Sequence, residues 1–227
     1  MTLVVWIMIF KLLLVWTAAW VFLQRPPPGL AGSSLLASQL ILGAAVELAG
    51  FITSLRGQYN LHLFDLAGPV EFLLLAGFGL AQFRTARIRR LGGMLALAVA
   101  AGVAAWDWPA MVADHLSASR AYLVHSLVLT GLFLAVLFRL ALRSLRPLHR
   151  VPLFWLALGL VLFYGLELPF RGLYNYVVAH DLELARRLHH INDITYTLRY
   201  GLVLVACGVG ARHISPPEPW TTSASPS

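Results

Sequence analysis

The sequence predicts an all-α fold, a seven-transmembrane-helix bundle with its N-terminus outside and its C-terminus inside. Three observations carry that prediction. Of the residues, 59% are hydrophobic and only 12% charged, with a mean hydropathy of +0.76, whereas soluble domains hold roughly 25% charged residues. Seven apolar windows reach the ~20 residues that a bilayer core demands of a helix. Arginine is also unevenly placed. Ten arginines (Arg25, Arg84, Arg87, Arg89, Arg90, Arg139, Arg143, Arg146, Arg150 and Arg212) fall on what would be one side, against five (Arg56, Arg120, Arg171, Arg186 and Arg187) on the other. Short loops rich in arginine mark the cytoplasmic face. The net charge of +7 then forms a collar against anionic lipid and calls for no nucleic-acid partner.

The expected spans run Leu3–Leu23, Ser33–Leu55, Leu61–Phe83, Leu91–Trp108, Ala121–Leu142, Val151–Tyr174 and Leu188–Ala211. The first lacks a basic start and a small-residue cleavage site, so it is expected to be a retained helix rather than a secretory leader. It carries Lys11, the only lysine, deep enough in the apolar run that an acidic partner is expected. Gln24-Arg25-Pro26-Pro27-Pro28-Gly29 makes a stiff break. The second helix, with Ala44, Ala45, Ala49 and Gly50, suits close packing and carries Gln39 and Glu47.

The third descends through His62, Asp65 and Glu71, with Pro69 expected to kink it. In the fourth, Trp106-Asp107-Trp108-Pro109 reads as an interfacial stop. The fifth holds His125, Ser126 and Thr130, and the sixth holds Tyr164, Glu167, Pro169 and Arg171. The seventh carries His189, Asn192, Asp193, Tyr196, Arg199 and Tyr200 at i, i+3, i+4, i+7, i+10 and i+11, a single helical face. Residues 1–214 thus form one transmembrane domain, and 215–227, rich in Ser and Pro, a disordered cytoplasmic tail. Cys207 is the only cysteine, which excludes an intramolecular disulfide.

Alternation of direction places the ionisable groups of several helices at one level, in the outer half. A buried charge in hydrocarbon costs several kcal/mol, so these groups are expected to line an outward-facing pocket. The candidate ligand-binding residues are Lys11, Glu47, Glu71, His125, Glu167, Arg171, His189, Asn192, Asp193, Tyr196 and Arg199. The plainer alternative is internal ion pairing: Lys11 with Glu47 or Glu71, Glu167 with Arg171, Asp193 with Arg199. No His-x-x-x-His occurs, so neither a bound metal nor a cofactor is expected, although His125 and His189 with Asp193 or Glu71 would be the zinc ligands if one were held.

The architecture resembles microbial rhodopsins, but their retinal-binding lysine is missing from the last helix. It also resembles the seven-helix intramembrane hydrolases of the alkaline ceramidase and adiponectin receptor group, whose last-helix histidine pair is here His189-x-x-x-Asp193. Glu47 with Tyr59-Asn60-Leu61, Pro69-Val70-Glu71-Phe72, and Phe154-Trp155 followed by Phe163-Tyr164 are similar to small seven-helix integral membrane proteins of Bacteroidota. That resemblance implies a multi-pass protein of a bacterial inner membrane and, by analogy, a sensory role. The leading expectation is a receptor-like module, not an enzyme. It would bind a small polar or anionic ligand from outside and signal through a cytoplasmic or membrane partner. The alternatives are an intramembrane hydrolase using Asp193 and His189, and a proton- or ion-coupled transporter using Glu71 and Glu167.

Overall fold

The computed structural model describes residues 3–56, 61–114, 119–144, 147–180 and 182–212; of these, the side chains at 3–4, 61–62, 107–114, 119–120, 170–176, 178–179, 182–193 and 212 are not described. Seven helices are present and no strand occurs among the described residues. They are α1 (Leu3–Gln24), α2 (Ser33–Leu55), α3 (Leu61–Ala81), α4 (Ala86–Asp114), α5 (Ser119–Arg143), α6 (Pro152–His180) and α7 (Leu182–Arg212), with a short 3₁₀ turn at Leu148–Arg150. Each contains a stretch long and apolar enough to cross a membrane. In lipid every backbone N–H and C=O must be satisfied within the chain, and a continuous helix does this locally.

Several boundaries differ from the expected spans. α4 does not stop at Trp108 but continues through Pro109 to Asp114. Proline removes one hydrogen bond there, and Ala110, Met111 and Ala113 are strong enough helix formers to carry the next turn. α6 extends to His180 instead of Tyr174, and α7 starts at Leu182 instead of Leu188. Hydropathy measures the thickness of lipid, whereas backbone hydrogen bonding propagates past it into polar sequence. α3 closes at Ala81, two residues before the expected end. There Gln82 folds back, its Nε2 donating to the Phe78 carbonyl at 3.0 Å and to the Ala31 carbonyl at 2.7 Å. The helices run unbroken through Pro69 and Pro169. The expected tail and the Tyr59-Asn60 motif lie outside the described residues.

In cross-section α1, α2, α3, α5, α6 and α7 form a closed ring in that order, α7 returning to lie beside α1. α4 stands outside this ring, packed on α3 and α5. Helix surfaces divide accordingly. α1 buries Val15, Ala18, Ala19 and Phe22 while presenting Phe10, Leu13, Trp16 and Trp20 to the exterior, and α4 exposes Leu91, Met94, Leu95 and Leu97. An exterior covered with large apolar side chains would aggregate in water, but it is compatible with lipid. The core inside the ring, towards the arginine-rich end, is sealed by Phe22, Leu36, Phe78 and Phe133.

Candidate functional site

Above that apolar seal, the ring's interior turns polar, and each of its six helices contributes. α1 supplies Lys11; α2, Gln39 and Glu47; α3, Asp65 and Glu71; α5, His125 and Ser126; α6, Tyr164 and Glu167; α7, Tyr196, Arg199 and Tyr200. α4 supplies none among the described side chains. The helical period explains this selection: on α3, Asp65, Phe72, Leu75 and Ala76 turn inward, while Leu66 and Val70 face out.

Glu71 is the centre. Its Oε1 lies 2.8 Å from Arg199 Nη2, accepts the Tyr164 O–H at 3.0 Å and accepts the Gln39 N–H at 3.2 Å. The guanidinium approaches off its N–H axis, so this contact is an ion pair rather than an aligned hydrogen bond. Four helices thereby meet on one oxygen. All the contacts described for this carboxylate are to Oε1, and among the described residues Oε2 has no partner. The Arg199 side chain is 3% exposed, yet that of Glu71 keeps 28% of its surface open. The groups that contact it, Gln39, Tyr164 and Arg199, are all buried.

Arg199 is wrapped in rings. Its Cζ lies 4.8 Å from the Phe163 centroid, 5.2 Å from Tyr200 and 5.4 Å from Tyr164. Aromatic faces carry partial negative charge and compensate a cation withdrawn from water. Tyr200 is held closely, since a Cβ added at Gly43 of α2 would sit 2.8 Å from its hydroxyl. Glycine at that position leaves room for the Tyr200 hydroxyl against α2. One turn before Tyr200, Tyr196 donates to its hydroxyl at 3.4 Å and takes Lys11 Nζ over its own ring at 4.8 Å. Glu47 lies within electrostatic reach of both tyrosines.

A second polar group adjoins the first. His125 stacks on Phe72 with centroids 4.2 Å apart and an interplanar angle of 14°, within electrostatic reach of Glu71. Its buried Nε2 finds no partner among the described residues. Its neighbour Ser126 donates to Glu167 Oε2 at 3.3 Å.

The structure thus brings together Lys11, Glu47, Glu71, His125, Glu167, Tyr196 and Arg199. The side chains of Arg171, His189, Asn192 and Asp193 lie outside the described residues, so the expected Glu167–Arg171 and Asp193–Arg199 pairs do too. The ion pair described for Arg199 is with Glu71, across the ring. Along α3, the carboxylate of that pair sits near the middle of the helix. Glu71 is ten residues beyond Leu61, about 15 Å along the helix at 1.5 Å per residue. Gln39 joins it from near the opposite end of α2. Gln39, Tyr164 and Tyr200 were not among the sequence candidates. Gln39 carries no charge, and the tyrosines are polar only at their tips; their one sequence signal is a hydrogen-bonding group within an apolar run. Comparison of the chain with protein-family models, with curated proteins and with solved structures finds no match.

Proposed function

We propose that this seven-helix bundle is a receptor-like module that binds a small polar ligand in the interior of its ring and passes the change to a partner at the arginine-rich face. The observation that carries the reading is the asymmetry of Glu71: Oε1 takes two hydrogen bonds and an ion pair, Oε2 has no partner among the described residues, and 28% of the side chain stays exposed. A purely structural ion pair would gain by closing over the carboxylate, since excluding water strengthens the attraction between the two charges. An opening kept beside a polar centre is what a small-molecule site requires. The ligand offers a donor to Oε2, while Lys11 over Tyr196 and the unpartnered Nε2 of His125 are its other polar neighbours.

The apolar seal of Phe22, Leu36, Phe78 and Phe133 favours binding over passage, because a transported ion would meet no polar group there. The hydrolase alternative depends on His189 and Asp193, whose side chains lie outside the described residues. Positive-inside bias supports an orientation with the arginine-rich face in the cytoplasm of a bacterial inner membrane and the ligand entering from outside.

Cysteine accessibility tests the opening. In a Cys207→Ser background, Glu47→Cys and Tyr196→Cys should react with a membrane-impermeant thiol reagent added from outside. Labelling from the inner side alone, or none, overturns the reading. Thermal-shift measurements with small carboxylates, amino acids and amines follow. A stabilising compound should lose its effect in Glu71→Gln with the protein still folded.

A further inference from the structure

At the other end of the bundle, a groove of about 340 Å³ is lined by Gln82, Phe83 and Arg84 after α3, by Val136, Arg139, Leu140 and Arg143 on α5, and by Leu153 at the start of α6. Its position and composition are unlike those of the polar centre. Three guanidinium groups surround a floor made of Phe83, Val136, Leu140 and Leu153. No acidic residue occurs between Glu71 and Asp107, nor between Asp114 and Glu167, so the segments that build the groove bring no counter-charge of their own.

Arg139 is held in place. Its Nη1 donates to the Gln82 carbonyl at 3.1 Å, and its Cζ lies 5.2 Å from the Phe83 ring centroid. Gln82 is itself anchored to Ala31 and Phe78 through its side chain. These are the contacts described for Arg139, and they leave further guanidinium N–H groups without an acceptor among the described residues. Arg84 and Arg143 are exposed beside it. Arginine offers its donors as a planar fork that matches a phosphate, and it sheds water more readily than lysine.

We infer that this groove is a binding site for an anionic phospholipid, its phosphate held by Arg84, Arg139 and Arg143 and one acyl chain laid on Phe83, Val136, Leu140 and Leu153. Charge complementarity selects an anion. The apolar floor selects an amphiphile over a free phosphate, which would leave that floor wet. The location agrees: the groove lies where α3 and α5 end and α6 begins, at the arginine-rich end of the bundle, the level that lipid headgroups would occupy. Basic pockets between membrane helices on the cytoplasmic side are built to take anionic headgroups in this way.

The test uses the full chain in nanodiscs of phosphatidylcholine doped with phosphatidylglycerol, with bound lipid counted by native mass spectrometry. Each of Arg84→Gln, Arg139→Gln and Arg143→Gln should lower the apparent affinity for phosphatidylglycerol about fivefold, following the interaction expected per cation near an anionic surface. Arg89→Gln, at the same end but outside the groove, should leave it unchanged. Arg84 is exposed, so its variant reports even if Arg139→Gln fails to fold. Equal retention in all variants overturns the site. An equal loss in Arg89→Gln overturns it too, since a diffuse basic collar would then suffice. Thermal stabilisation by inorganic phosphate matching that by phosphatidylglycerol would overturn the lipid as its occupant.

Discussion

The carboxylate of Glu71 and the guanidinium of Arg199 stand or fall together. Removing one partner of a buried ion pair leaves the other as an uncompensated charge, at a cost of about 3–5 kcal/mol. Glu71→Gln should therefore lower stability in detergent denaturation by about that amount. Adding Arg199→Gln should return part of the loss, and a double-mutant cycle measures the coupling. Tyr164→Phe removes a single O–H donor from Oε1 and should cost only about 1 kcal/mol. Both charged residues stood out in the sequence as ionisable groups inside apolar runs. Their pairing did not, because periodicity identifies the face of a helix and is silent on which helix that face will meet. Gln39 shows the same limit, since only proximity to Glu71 separates it from any other amide in an apolar segment.

Single helices divide into an inner and an outer surface, and α5 allows the two to be compared within one element. Phe133 is fully buried against Phe78 at a centroid distance of 6.1 Å, whereas Phe138 is 68% exposed. Phe133→Ala should cost about 3–5 kcal/mol through the cavity it leaves, and Phe138→Ala about 0.5 kcal/mol or less in unfolding titrations of the reconstituted protein. Hydropathy located all seven helices but misjudged the ends of α3, α4 and α6 and the start of α7. The added turns of α4, α6 and α7 are helical without being apolar, and a lipid-thickness criterion passes over them. The ring order was not readable at all. Nothing in Leu91–Trp108 announces that α4 is the helix left outside, although its small-residue content and weak polarity agree with a place where only one side is packed.

The molecule has an arginine-rich end and an acid- and histidine-bearing interior, and the way it sits in the membrane decides what each can meet. Positive-inside bias predicts that a fluorescent protein fused after Ser227 will fold in the cytoplasm, and that a periplasm-dependent phosphatase at the same place will be inactive. Reversed activities would turn the polar centre towards the cytoplasm and the arginine groove towards the outer leaflet.

Closure of the ring between the first and last helices has a consequence for biogenesis. Lys11 lies beside Tyr196 and Pro27 beside Gly210, so α7 docks parallel to α1, the first made of the seven helices. Glu71 emerges with the third helix, and its cation arrives only with the seventh. Until α7 has been made, the carboxylate waits in a half-built ring without its partner, and a nascent chain halted before Arg199 exposes that deficit to the cell's proteases.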